Sequence, residues 1–310
     1  MLNRIAALAL VLWGISLIAF TLTTIAPGDP AFSLLEAQSG GATPSAEAVE
    51  AYRVQLGLDA PAPVRYLRWL ANALQGNLGF SYRSGQPVAV EIANRLPATL
   101  TLALVSLGLA VLVGVPLGVF AAIRRGSIID LLSRLLAIGG AALPSYILSL
   151  GLVWLFAVTL GWLPAFGAGT WRHLALPTLA LASGVTTQIA RLTRASMLDV
   201  LGKDYVRTAR AKGLHEQGIV TRHVLRNALL PVVTALGVNA GNLLSGAVIV
   251  ERIFSWPGIG KYAVDAIFLR DYPVIQGVVV YFAVVFVGLN LLVDVAYRWL
   301  DPQISFTSQP

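Results

Sequence analysis

Gly258, Gly260 and Lys261 stand in the order that the glycines and lysine of a phosphate-cradling loop would take. Such a loop also needs a glycine five residues before its last one, and a Ser or Thr after the lysine. Ser255 and Tyr262 hold those positions, so the pattern fails, and any energy drawn from ATP must come through a partner chain. Metal chemistry has little to draw on. The histidines are His173, His215 and His223, the methionines are Met1 and Met197, and there is no cysteine. Disulfides, zinc thiolates and thiol redox are therefore excluded, and no metal-ligand spacing falls in an apolar segment. No Ser/His/Asp set is grouped for nucleophilic catalysis. Asp294 near the end of the last apolar segment reads as paired with Arg298 one turn on, with proton coupling the less favoured use. The chemistry-bearing residues thus describe a chain that is not an enzyme and carries no cofactor.

One polar stretch remains whose chemistry is recognition. Asp204-Tyr205-Val206-Arg207-Thr208-Ala209-Arg210-Ala211-Lys212-Gly213-Leu214 is cationic and helix-forming, and it is followed by Ile219 and Leu230-Pro231. Residues 198–215 hold good helix formers, with Gly213 as a stop and Asp204 suited to a helix start, where an anion meets the positive dipole end. A helix of about 12–15 residues there would span roughly 18–22 Å, enough to lie across a groove on another protein. Ala209, Ala211 and Gly213 would let that partner approach closely. A basic helix attracted to anionic lipid, at about 1 kcal/mol per cation, is the alternative, and the residues alone leave both uses open.

The elements that must position this stretch are set by an unusual solvent. Hydrophobic residues make up 56% of the 310 and charged residues 12%, against about 45–50% and about 25% in soluble domains. About six segments are long and apolar enough for a helix of roughly 20 residues to cross a bilayer. They cover 5–26, 98–123, 131–160, 174–193, 229–250 and 274–296, the third kinked by Pro144 and the fourth weakened by Thr186, Thr187 and Gln188. The first is too long for a signal-peptide core and ends without a small-x-small site, so it reads as an uncleaved span. Lys and Arg in short loops set orientation. Arg124 and Arg125, then Lys203, Arg207, Arg210, Lys212, Arg222 and Arg226, place those two loops and both termini in the cytoplasm. The net charge of +7 therefore serves orientation and lipid contact, not nucleic acid.

The expected organisation is a first span (1–26), an outer cap (27–95), a core of further spans (96–300) holding the polar loop (196–228), and a cytoplasmic tail (301–310). Within the cap, 45–56 and 64–74 read as short helices and 76–85 as turn-rich. At membrane depth, Thr187 and Gln188 on the fourth span and Asn239 and Asn242 on the fifth are polar. They line a translocation path or bond helix to helix. Gly114 with Gly118, and Gly237 with Gly241, are small-xxx-small pairs, read as packing. Trp256-Pro257-Gly258 is a turn, and 262–269 a short interfacial helix that either gates or braces the outer mouth or serves as an interfacial anchor with no gating role.

Several of these segments, taken in order along the whole chain, resemble the permease subunits of the dipeptide/oligopeptide/nickel branch of ATP-binding-cassette importers. They are Pro27-Gly28-Asp29-Pro30, Gln55-Leu56-Gly57-Leu58-Asp59, Gly76-Asn77-Leu78-Gly79, 194–200, Thr208-Ala209-Arg210-Ala211 with Gly213, Ile219 and Leu230-Pro231, Arg226-Asn227-Ala228, 253–260 and 270–276. The resemblance implies an all-α integral membrane protein of the type I importer kind. It also implies docking of an ATPase on Asp204, Tyr205, Arg207, Thr208, Ala209, Arg210, Ala211, Lys212, Gly213, Leu214 and Ile219. The implied partners are a second permease subunit, two ATP-binding subunits and an extracytoplasmic substrate-binding protein. Peptides are the favoured cargo, with nickel or its chelate close behind. A stand-alone secondary transporter or channel is the alternative; it would show buried carboxylate or His relays and repeated spans, and neither is present.

Overall fold

The protein is described here by a computed structural model covering residues 2–25, 28–39 and 42–300; the tail expected at 301–310 lies outside the described residues. In chain order the helices are α1 (Leu2–Ile25), α2 (Pro30–Gln38), α3 (Ala46–Gln55), α4 (Ala62–Leu74), α5 (Val88–Ile123), α6 (Ile128–Ala142), α7 (Ser145–Leu152), α8 (Trp171–Leu201), α9 (Asp204–Ala211), α10 (Glu216–Gly218), α11 (Leu225–Ile253), α12 (Ile259–Phe268) and α13 (Tyr272–Leu300). Val153–Thr159 and Ile219–Val224 are π-helical, and the described residues form no strand. The chain divides into one unit of Met1–Pro97 with Gly258–Gly288 and another of Ala98–Pro257 with Leu289–Pro310.

In the first unit, α1 is apolar all round and leaves Leu10, Trp13, Ile18, Leu22 and Ile25 exposed, as suits a lipid-facing helix. Amphipathic α4 lies on it. Tyr66 packs edge-on to Phe20 with ring centroids 5.4 Å apart, and its hydroxyl is 3.0 Å from Ser16 Oγ. The cap helices expected at 45–56 and 64–74 are α3 and α4; Ser45 caps α3 by accepting the Ala48 N–H at 3.2 Å. Helix α2 was not foreseen, although Asp29 as N-cap and Pro30 at its first turn are ordinary start signals. Gly76, Gly79 and Gly85 all take positive φ in the turn-rich stretch. The short helix expected at 262–269 is α12, which starts at Ile259. Tyr262 donates to Glu91, while Arg95 sits 4.0 Å from the centre of the Tyr262 ring. Asp271 accepts from Ser81 Oγ at 2.6 Å and from the Tyr82 N–H at 3.1 Å. These bonds tie α12 and its following turn to α5 and to the turn-rich stretch.

In the second unit, α8 is the central helix and packs against α6, α7 and α11. Leu176, Ala180, Leu181, Val185 and Ile189 are buried along it with Val232, Leu243, Ala247 and Val250 of α11. A helix packed against three others can bury a Thr such as Thr187, while Gln188 stays exposed; both make 174–193 look weak as a span. Gly114 and Gly118 of α5 do serve packing: an added Cβ would stand 2.8 Å from Thr186 O and 2.5 Å from Ala190 O of α8, respectively. The segment expected to be one kinked span, 131–160, is instead broken. Pro144 forces Leu143 into extended backbone (φ −90°, ψ 115°), ending α6 and restarting the chain as α7.

Among the described residues, three helical stretches are long and apolar enough to cross a membrane by length and composition: Ala6–Ile25, Val88–Ile123 and Glu216–Gly241. Ser145–Thr159 and Tyr272–Gly288 are apolar but shorter.

Candidate functional site

The polar loop folds as α9, eight residues long and so shorter than the expected 12–15. The chain breaks at Gly202 and Lys203, which ends α8 at Leu201 and lets α9 start at Asp204, the residue suited to a helix start. Lys203 is the N-cap without a side-chain cap bond, and Asp204 opens the first turn. At the other end Gly213 takes φ +76°, and the Leu214 N–H reaches back to Ala209 O at 3.3 Å. This is the left-handed stop that glycine supplies most cheaply.

One face of α9 is committed to the protein. Val206 is fully buried and Ala209 is buried with it, against Met197, Val200, Ile219, Val220, Val224 and Ala228. Ile219 and Ala209 therefore hold the loop in place and offer no surface. The opposite face is open: Asp204, Tyr205, Arg207, Thr208, Arg210, Ala211, Lys212, Gly213 and Leu214 are all exposed.

Polar bonds fix this face. Arg210 grips Glu216 through two bonds, Nε to Oε2 at 3.1 Å and Nη2 to Oε1 at 2.7 Å. That hydrogen bond holds the Glu216 carboxyl below its ordinary value and raises the guanidinium's. Asn227 Nδ2 donates to Tyr205 Oη at 3.1 Å, and Thr208 Oγ1 donates to Asp204 O at 3.0 Å. Arg207 Nη1 stays near Asp204 Oδ1 at 3.4 Å but is mostly in solvent. The partners Glu216 and Asn227 were missed from sequence, since neither stands at a helical spacing from the residue it meets.

A second missed feature anchors the end of α8 that leads to α9. Asp130, almost fully buried, accepts from Arg194 Nε at 2.7 Å and Nη2 at 3.1 Å, and from the Gly126 N–H at 3.0 Å. Arg134 Nη2 lies 3.2 Å from the same carboxylate. The Arg194 hydrogen bonds, then the Gly126 N–H, hold the Asp130 carboxyl at about 2, against burial. The pair ties the short loop holding Arg124 and Arg125 to the base of the polar loop.

Of the four polar residues at membrane depth, the side chains of Thr187, Gln188 and Asn239 are described and lie in different surroundings. Gln188 is exposed and lines a small groove with Ser145, Ser183 and Gly184. Thr187 is buried, and its hydroxyl fills the space that a side chain on Gly140 would need. Asn239 is buried but donates to Ala235 O of its own helix at 2.8 Å. The Asn242, Asp294 and Arg298 side chains lie outside the described residues.

Comparison with known proteins fits this architecture. Residues 114–306 match the family described as binding-protein-dependent transport system inner membrane component, and residues 1–103 match its N-terminal membrane component. The chain is 43% identical over 305 residues to the glutathione transport system permease protein GsiC of Escherichia coli O6:H1 (strain CFT073), covering 98% of each. It is 42% identical over the same span to GsiC of Shigella flexneri serotype 5b, again covering 98% of each. Among solved structures, an inward-facing MetNI methionine ABC transporter matches 68% of this chain and 96% of its own, with TM-score 0.57 and 21% identity. An amino acid ABC transporter with histidines matches 67% and 94%, with TM-score 0.53 and 18% identity. These two establish the fold. The chain belongs to the family of inner-membrane components of binding-protein-dependent transport systems. It is a membrane-embedded permease component of an ABC importer, a class that works with a partner permease, an ATPase and a substrate-binding protein.

Proposed function

We propose that this chain is a non-catalytic permease subunit that imports a short carboxylate-bearing peptide of the glutathione type. It pairs with one sister permease and two ATP-binding subunits, and its termini are cytoplasmic. The observation that carries the cargo is kinship at 43% identity along 98% of a permease named for glutathione transport. Coupling runs through the exposed face of α9, where Tyr205, Arg207, Thr208, Ala211 and Lys212 present a cationic surface of small and planar groups. A surface whose inner side is packed by Val206 and Ile219 can transmit a push on α9 to α8 and α11. Gln188 and Thr187 belong to the path-facing side of α8 in this reading.

The test is uptake by the full complex with its binding protein in proteoliposomes. Radiolabelled glutathione should accumulate only with ATP and should be unaffected by excess nickel. Nickel uptake without glutathione uptake would overturn the cargo. ATP hydrolysis by this chain alone would overturn the non-catalytic role.

A further inference from the structure

The first unit holds a pocket of about 390 Å³, within the ~300–1,000 Å³ range of small-ligand sites. Three arginines line it, Arg53, Arg65 and Arg68, against one carboxylate, Asp29. Asp29 is already engaged. Its Oδ1 accepts the Ala31 N–H at 2.9 Å, and its Oδ2 is 3.9 Å from Arg53 Nη1. Arg65 lies 5.8 Å from the centre of the Phe20 ring, and neither it nor Arg68 is ion-paired among the described residues. Among the described residues the pocket therefore keeps an excess of positive charge at Arg65 and Arg68.

A second observation is independent of charge. Trp69 Nε1 and the Tyr272 hydroxyl are buried without a hydrogen-bond partner among the described residues, and both residues line this pocket. Tyr272 is only 8% exposed. Buried polar groups are almost always bonded, so two orphans among the residues that line one pocket mark where a ligand's acceptors belong. Guanidinium and indole N–H groups can only donate. Tyr82 lines the same pocket, and burial pushes its hydroxyl up to about 12, so it remains a neutral O–H at any working pH. The complement to so many donors is a group that only accepts, and the planar fork of Arg suits a carboxylate.

We propose that this pocket is a carboxylate-binding site, which takes an anionic end of the peptide cargo on the extracytoplasmic side. The identity of the peptide rests on the glutathione reading above; the chemistry of the pocket does not.

The experiment measures binding of labelled glutathione and of dialanine to the whole complex in phosphatidylcholine nanodiscs, each against its ester. Wild type should bind the free acids at least tenfold more tightly than the esters, with affinity falling as salt rises. R68Q should weaken acid binding about tenfold and leave ester binding unchanged. Y272F, which removes only a hydroxyl, should weaken it several-fold with assembly intact. Equal binding of acid and ester, or R68Q binding like wild type, would overturn the site. So would glutathione binding that vanishes when phosphatidylglycerol replaces phosphatidylcholine, since that assigns the pocket to a lipid phosphate. If wild type binds dialanine acid but neither binds nor transports glutathione, the cargo reading falls and the pocket stands. If glutathione is transported while R68Q is without effect, the reverse holds.

Discussion

Asp130 illustrates how much one side chain can organise when its partners come from different elements. Its carboxylate joins the Gly126 turn, Arg134 of its own helix and Arg194 near the end of α8. A carboxyl with its pKa depressed from 3.8 to about 2 stabilises the fold fully above the unfolded value. That contribution is lost only as pH falls from about 4 toward 2, because only there does the unfolded chain bind the proton more readily. Melting of the detergent-solubilised protein should thus be insensitive to this group between pH 8 and 5 and fall below pH 4. Asp130→Asn should lower the melting temperature at neutral pH and flatten the acid limb; an unchanged acid limb would remove the pair from the account. Gly118 is a second such residue. A methyl there would meet Ala190 O at 2.5 Å and Thr193 Cβ at 2.6 Å, one of them unyielding backbone. Gly118→Ala should cost about 1–3 kcal/mol, while Gly108→Ala, with nothing within 4 Å, should be near neutral. Thermal melts of the two variants side by side decide it.

At the scale of the element, α9 is an eight-residue helix that cannot be stable by itself in water. It exists because Val206 and Ala209 insert into the apolar cluster below it. Two classes of substitution should therefore part cleanly. Arg207→Glu with Lys212→Glu, both exposed, should reduce co-purification of the ATPase at least tenfold while the permease stays folded. Val206→Asp buries a charge and should abolish folded permease altogether. Full ATPase recovery with the double charge reversal would separate α9 from docking. The polar run, its start at Asp204 and its stop at Gly213 were all legible in sequence, because cap and stop signals are local. The division of its residues into anchors and surface was not, since that depends on which face meets Met197, Ile219 and Val224. In the third segment the effect of Pro144 was legible as a kink, but not that it would set Leu143 into extended backbone and end α6. Asn239 is polar at membrane depth and donates to Ala235 O within α11, and no sequence pattern distinguishes such a residue from one facing a channel.

For the whole molecule, orientation is the property on which import depends, and charge distribution makes the argument. Arg124 and Arg125 stand in a loop of a few residues between α5 and α6, and Lys203, Arg207, Arg210 and Lys212 crowd the stretch between α8 and α11. Short loops obey the excess-cation rule, and on that rule both loops are proposed to lie on the cytoplasmic side, where an ATPase would reach α9. The cap also carries Arg53, Arg65, Arg68, Arg83 and Arg95. Its length of some 70 residues exempts it, because long segments are translocated largely regardless of charge. The absence of cysteine lets the point be tested without a background. Ser84→Cys in the cap should react with a membrane-impermeant maleimide on intact spheroplasts. Arg125→Cys and Lys212→Cys should react only after permeabilisation. All three positions are exposed, so failure to label reports the side of the membrane and not burial. Lys212→Cys labelling from outside would place α9 beyond the reach of any cytoplasmic ATPase and would sink the coupling scheme, even with the fold and the family unchanged.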